Sequence, residues 1–173
     1  NPTYTIGKQL MEAIMLHTDR NKKEAYDRAV EMLQLVNVNE PHKRMKQYPF
    51  EFSGGMRQRV ALIRTLICNP DILLLDEPFS ALDFQTRLEV SNDIYRIIQS
   101  EKKTAILITH DIEEAISMAD KILILSKRPA TVTEELTIEL TVDNRTPFTA
   151  RDAPEFSGYF HHIYEVLKNE EKK

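Results

Sequence analysis

Two carboxylates stand side by side where an apolar run ends, in Ile72-Leu73-Leu74-Leu75-Asp76-Glu77-Pro78. A charged pair at the end of a buried strand is costly unless something uses it. In open α/β sheets, ligands gather at the carboxyl ends of the strands. On that reading Asp76 would hold magnesium through water, and Glu77 would polarise a water attacking a γ-phosphate. A solvated strand-to-loop turn is the alternative. Upstream, Ser53-Gly54-Gly55-Met56 precedes an apolar helical run. Ser53 can cap that helix, the glycines let backbone amides approach an anion closely, and the helix dipole adds positive potential. The same residues also read as a plain turn with an N-cap. Ser80-Ala81-Leu82-Asp83 by itself is only a turn. His110 ends a second apolar run and precedes Asp111. It reads either as a structural strand-end histidine or, on the same sheet edge as Asp76 and Glu77, as a group that touches a phosphate oxygen.

The elements that would position these groups follow from periodicity. Ile6, Leu10 and Ile14 share one helical stripe over residues 6–17, and Ala25, Ala29, Met32, Leu33 and Val36 share another over 22–36. Asn37, Asn39 and Pro41 close the second helix, and residues 40–52 read as a polar loop. A third helix is predicted from Ser53 to about Ile67, with Asn69-Pro70 as its breaker. The pattern then changes. Ile72–Leu75 reads as a strand buried on both faces of a parallel sheet. A helix with Val90, Ile94, Ile97 and Ile98 follows, then a strand over Ala105–Thr109. Asp111-x-x-Glu114 has the form of a capping box opening a short helix with Ile112, Ala115, Ile116 and Ala119 inward. Lys121–Ser126 is a third strand, and strands alternating with helices imply a parallel, right-handed α/β sheet. Beyond Pro129, Val132, Leu136, Ile138, Leu140 and Val142 take a period of two, as in a half-exposed antiparallel strand. Phe156, Phe160, Ile163, Tyr164 and Leu167 mark a last amphipathic helix.

Composition narrows the class. The 173 residues suffice for one compact domain with a core, and 42% hydrophobic with 29% charged residues is ordinary for a globular chain. A net charge of −4 without blocks of like charge argues against nucleic acid as the main partner. A single cysteine, Cys68, excludes an internal disulfide framework and fits a reducing compartment. No apolar run approaches the roughly 20 residues of a membrane span. The amino end has neither the basic lead nor the apolar segment of a signal peptide, so a cytosolic protein is expected. The chain opens at Asn1 in what reads as a loop entering a helix, so further residues upstream are expected.

Taken together, the order and spacing of four motifs resemble the ATP-binding-cassette (ABC) transporter ATPases. The motifs are Phe52-Ser-Gly-Gly-Met-Arg-Gln-Arg-Val60, Ile72-Leu-Leu-Leu-Asp-Glu-Pro78, Ser80-Ala-Leu-Asp83 and Thr109-His-Asp111. In that family they are the signature, Walker B, the D-loop and the switch histidine. The resemblance implies an α/β class, a partial P-loop NTPase fold of the ABC type with a parallel sheet core. Residues 1–68 would be the helical signature subdomain, 69–128 the C-terminal part of the RecA-like ATPase core, and 129–173 a strand-and-helix appendix. It implies a subunit that hydrolyses ATP with magnesium and pairs head to tail with a second ATPase subunit. That pair would sit beneath transmembrane permease subunits, served indirectly by a substrate-binding protein, on the cytoplasmic face of the membrane. On this template Ser53, Gly54, Gly55 and Met56 contact nucleotide held mainly by the partner. Asp76 holds magnesium through water, Glu77 and His110 act on nucleotide held in cis, and Asp83 crosses the dimer interface. Met56 stands where the family most often has glutamine, and Phe52 where it has leucine; function is expected to survive both.

Two branches of the family are represented. Asn1-Pro-Thr-Tyr-Thr-Ile-Gly7 and Lys46-Gln-Tyr-Pro-Phe50 are similar to the oligopeptide and dipeptide importers. Val60-Ala-Leu-Ile-Arg64, Asp76-Glu-Pro-Phe-Ser-Ala-Leu-Asp83, Ser126-Lys-Arg-Pro-Ala-Thr131, Arg145-Thr-Pro147 and Ala153-Pro-Glu-Phe156 resemble the nitrate, sulfonate and taurine importers. The second set covers more residues, so an importer of that kind is the preferred reading. A recombination or assembly junction within the shared stretch Ser53–Val60 would account for both. No G-x-x-x-x-G-K-[ST] occurs in the sequence, Gly7-Lys8 being followed by Gln9. That loop supplies the amide nest and the lysine that hold the phosphates, and the family's glutamine-loop is expected upstream of Asn1. The isolated chain is therefore expected to bind ATP poorly, to be inactive and to fold poorly. Two rivals remain. A non-catalytic remnant is disfavoured by the intact Glu77 and His110. The signature lobe of a chromosome-maintenance or DNA-repair ATPase would need a heptad coiled coil, which the roughly 50 residues before Ser53 lack.

Overall fold

The computed structural model describes residues 2–171. The first two long helices begin where a short polar side chain takes over unpaired amides. Helix α1 (Ile6–His17) opens at Thr5, whose hydroxyl accepts the Lys8 N–H at 3.3 Å. Helix α2 (Lys22–Leu35) opens with a capping box: Asn21 accepts the amides of Lys23 and Glu24, and the Glu24 carboxylate accepts the Asn21 N–H. Asn37, in the left-handed region at φ 55°, ends α2. Residues 40–52, predicted as a loop, instead hold a short helix α3 (Pro41–Arg44) and a 3₁₀ turn (Pro49–Glu51). Both start on a proline, whose fixed φ suits a first helical turn.

Apolar stripes then meet. Leu10 and Ile14 of α1, Ala25, Ala29 and Leu33 of α2, Ile63 of α4 (Gly54–Ile67) and Val90 and Ile94 of α5 (Phe84–Ser100) are all buried. Burying a large aliphatic side chain contributes about 2 kcal/mol, so these stripes hold the helices together. Asp93 of α5 adds a polar tie, accepting Arg59 of α4 at 2.6 Å and Asn37 at 3.0 Å.

Strand β1 (Ile72–Asp76) pairs in parallel with β2 (Thr104–Ile108). The expectation that β1 is buried on both faces is corrected: Leu73 is fully buried, but Ile72 is 53% and Leu74 70% exposed. Side chains alternate along a strand, so an all-apolar run exposes every other residue wherever only one face has a covering layer. The third predicted strand, β3 (Lys121–Leu125), pairs antiparallel with β4 (Val132–Thr137) in a separate two-stranded sheet. Its register runs from Lys121 opposite Thr137 to Leu125 opposite Val132, with an irregularity between Ile124 and Leu125.

The chain divides into two compact units. One comprises the residues through Leu74 together with Pro78–Ile106, and the other comprises Leu75–Glu77 and the residues from Leu107 onward. The second unit has its own core. Ile116 of α6 (Ile112–Met118), Ile122 and Ile124 of β3, Ile138, and Ile163 of α7 (Phe156–Glu171) pack together, flanked by Leu136, Phe156, Phe160 and Leu167. Tyr164, predicted to lie in the inward stripe of the last helix, is exposed and stacks on Phe160 instead. A phenol can satisfy its hydroxyl at the surface while its ring rests on a neighbour. Among the described residues, no helix is long and apolar enough to cross a membrane.

Candidate functional site

Strand β1 runs out at the exposed Asp76, and the next residue, Glu77, is held in the left-handed region at φ 44°. A non-glycine residue there is strained by about 1 kcal/mol. The strain is held in place by pairing, since the Glu77 N–H donates to the Ile108 carbonyl at 2.9 Å. One oxygen of the Glu77 side chain, Oε1, accepts the His110 N–H at 3.1 Å and lies 2.6 Å from His110 Nδ1. A carboxylate only accepts, so Nδ1 carries the proton in this contact. The hydrogen bond to Glu77, then the charge of Glu77, hold His110 above the usual histidine pKa, against a smaller opposing effect of desolvation. Asp111 and Glu114 add lesser contributions in the same direction. The imidazolium form is thereby favoured.

His110 follows the end of β2. Thr109 Oγ1 accepts the Asp111 N–H at 3.0 Å, and Asp111 Oδ1 accepts the Glu114 N–H at 3.1 Å as the N-cap of α6. The His110 side chain itself is 79% exposed. It therefore meets solvent on most of its surface and Glu77 on the remainder.

The second group of residues centres on the first turn of α4. Ser53 is its N-cap, with Oγ accepting the Met56 N–H at 3.3 Å. A side chain at Gly54 would put a Cβ 3.0 Å from Leu82 Cδ2, and one at Gly55 would lie 2.8 Å from Thr86 Cγ2 and 3.0 Å from Val90 Cγ2. The glycines thus allow α4 to seat its first turn against Leu82 and α5. That packing need stands beside the anion-binding reading, because the helix still presents its dipole and amides at Ser53. Asp83 caps α5, its Oδ1 accepting the Thr86 N–H at 3.0 Å, and this bond pulls its pKa below the usual carboxylate value. The fold therefore brings Gly54 and Gly55 onto Leu82 and Thr86, next to Asp83, and it brings Glu77 onto His110.

Among the described residues, no group of three or more His, Cys, Asp or Glu side chains is arranged to hold a metal ion. A lone exposed carboxylate such as Asp76 suits magnesium whose other ligands are water and phosphate, and does not suit an all-protein cage. Two charged side chains escaped the sequence reading, Asp93, which ties Arg59 to Asn37, and Arg151, which bonds to α6; Arg145 was noted only within Arg145-Thr-Pro147 and not for its bonds to α6. Their partners lie tens of residues away at no helical or strand period, so no spacing signal announces them.

Residues 1–80 match the family model described as ABC transporter. The chain is also 51% identical over 128 residues to the uncharacterized ABC transporter ATP-binding protein YtlC of Bacillus subtilis (strain 168), covering 74% of this chain and 49% of that protein. The chain belongs to the ABC transporter family. Two further ABC relatives represent the two branches seen in the motifs. The nitrate import ATP-binding protein NrtD of Synechocystis sp. is 40% identical over 158 residues, which is 87% of this chain and 57% of that protein. The oligopeptide transport ATP-binding protein OppD of Escherichia coli (strain K12) is 42% identical over 125 residues, 72% of this chain and 37% of that protein. The chain thus spans about half the length of the curated ABC relatives it matches. Among solved structures, the dimeric ATP-binding cassette MJ0796 in a post-hydrolysis state bound to ADP and Pi superposes with a TM-score of 0.66 at 28% identity. The match covers 80% of this chain and 59% of that one, in keeping with a partial P-loop NTPase fold of the ABC type.

Proposed function

We propose that the chain is the signature-to-tail part of an ATP-hydrolysing subunit of an importer of the nitrate, sulfonate or taurine kind. The observation that carries this reading is the strained Glu77 bonded to an exposed His110, which that bond holds above the usual histidine pKa. Glu77 is the base that polarises the water attacking a γ-phosphate, and His110 offers positive charge to a phosphate oxygen. Asp76 would hold magnesium through water; when bound, the ion supplies positive charge against the phosphates. Ser53, Gly54, Gly55 and Met56 offer the amides of the α4 N-terminus to nucleotide held mainly by a second ATPase subunit, and Asp83 lies at that dimer interface.

In this reading residues 1–68 serve as the helical signature subdomain, 69–128 as the rear of the RecA-like core, and 129–173 as an appendix. The partners are a second ATPase subunit, permease subunits and, through them, a substrate-binding protein, with the subunit on the cytoplasmic face of the membrane. The runs Val60–Arg64, Ser126–Thr131, Arg145–Pro147 and Ala153–Phe156 support the first substrate class.

The test uses the intact subunit that includes a P-loop. Magnesium-dependent ATP hydrolysis is expected, and Glu77→Gln should lower kcat by at least about 100-fold while ATP binding persists. Absence of hydrolysis in the intact subunit, or near wild-type turnover in Glu77→Gln, would overturn the reading.

A further inference from the structure

We propose that Arg145 and Arg151 are positioning residues that clamp α6 at its two ends and thereby hold His110 against Glu77. The inference rests on the reading of Glu77 and His110 as the hydrolytic pair. Helix α6 has only seven residues, far fewer than an isolated helix needs to be stable in water. Its last carbonyls have no partner within the helix. Arg145 supplies one: Nη2 donates to the Ile116 carbonyl at 3.2 Å and the Ala119 carbonyl at 2.6 Å, and Nη1 lies 3.3 Å from Asp120 Oδ1. A planar guanidinium can serve three acceptors at once, and its charge complements the negative end of the helix. At the other end Arg151 Nη1 lies 2.6 Å from Oε2 of Glu113, in the first turn.

The two arginine side chains are only 18% and 24% exposed, although their carboxylate partners Asp120 and Glu113 are 84% and 44% exposed. The arginines' fixed positions and the carbonyl bonds of Arg145 therefore carry more weight than the ion pairs. Both are delivered by one locked corner of the chain. Thr146 and Thr149 exchange backbone-to-hydroxyl hydrogen bonds at 2.9 and 3.2 Å, and Pro147, Ala150 and Ala153 are buried beneath them. Arg145 and Arg151 flank that corner. From α6 the restraint passes through the Asp111 cap to the next residue, His110. An exposed ring has no packed pocket around it, so its orientation rests on the bond to Glu77 and on the backbone that carries it.

The experiment compares wild type with Arg145→Gln, Arg151→Gln and Arg151→Lys in the intact ATPase. It reads kcat and KM for ATP, melting temperature, and hydrogen exchange at the His110 amide, which is the group bonded to Glu77. Each glutamine variant should lower kcat about tenfold with KM within about twofold, as expected when a reacting group is displaced and binding is not. The His110 amide should exchange faster in both, and Arg151→Lys, which can keep the pair with Glu113, should recover most of the turnover. Unchanged exchange at His110 overturns the proposal. So does unchanged kcat in a variant whose His110 amide has loosened, or a loss of turnover that only mirrors the fraction unfolded. If the wild-type subunit hydrolyses no ATP, the functional reading fails, while exchange at His110 still decides whether the arginines hold it.

Discussion

At the scale of residues, a single carboxylate oxygen gathers two contacts. Glu77 Oε1 receives both the backbone N–H and the ring of His110, on a backbone already pushed into the left-handed region. Because the histidine pKa is raised in the folded state, the pair stabilises that state fully below the ordinary value of about 6.5. The contribution is lost as pH rises through the raised folded pKa. An NMR titration of His110 should therefore show a midpoint above the ordinary value, and Glu77→Gln should bring it down. A midpoint unmoved by the substitution would mean that the pair does not form in solution. The residue types at this site were legible in the sequence. The bond between them was not, because Glu77 and His110 lie 33 positions apart and meet only through the pairing of β1 with β2.

Elements explain residues that chemistry alone leaves ambiguous. Gly55 was readable as access for an anion, yet its missing side chain is also what lets α4 approach α5. Gly55→Ala would press a Cβ to 2.8 Å from the Thr86 methyl and 3.0 Å from Val90, both on stiff β-branched side chains. We expect a loss of about 1–3 kcal/mol in urea unfolding, with partial recovery when Thr86→Ser removes the methyl. An alanine variant as stable as wild type would leave nucleotide contact as the sole reason for the glycine. The helix starts at Ser53 and Asp111 were readable because caps are local: each bonds an amide three residues ahead, and Thr5, Asn21 and Asp83 do the same at two or three.

At the scale of the whole chain, the proposed hydrolytic pair can be weighed apart from a phosphate grip. The sequence holds Glu77 and His110 but no glycine-rich loop with its lysine. The outer faces of β1 and β2 also leave Ile72, Leu74, Ile106 and Ile108 exposed. Apolar strand faces of this kind normally lie under another layer, and where open they favour association. Calorimetric titration of the 173-residue chain with magnesium and ATP should show no saturable binding in the micromolar range. Tight binding by this chain alone would mean that residues outside the glycine-rich loop suffice to hold the phosphates.

The sequence by itself determined the motifs, their order, the caps and the apolar stripes, since each depends on neighbours within a turn or two of the same element. Tertiary structure decided what those elements meet. It joined β3 to β4 rather than to β1 and β2, left one face of β1 open, turned Tyr164 outward, and brought Asp93 to Arg59 and two arginines of the tail to α6. The physical reason is common to all of these. A helical or strand period records which face of an element is apolar, whereas hydrogen bonds and ion pairs between distant segments depend on which faces pack together.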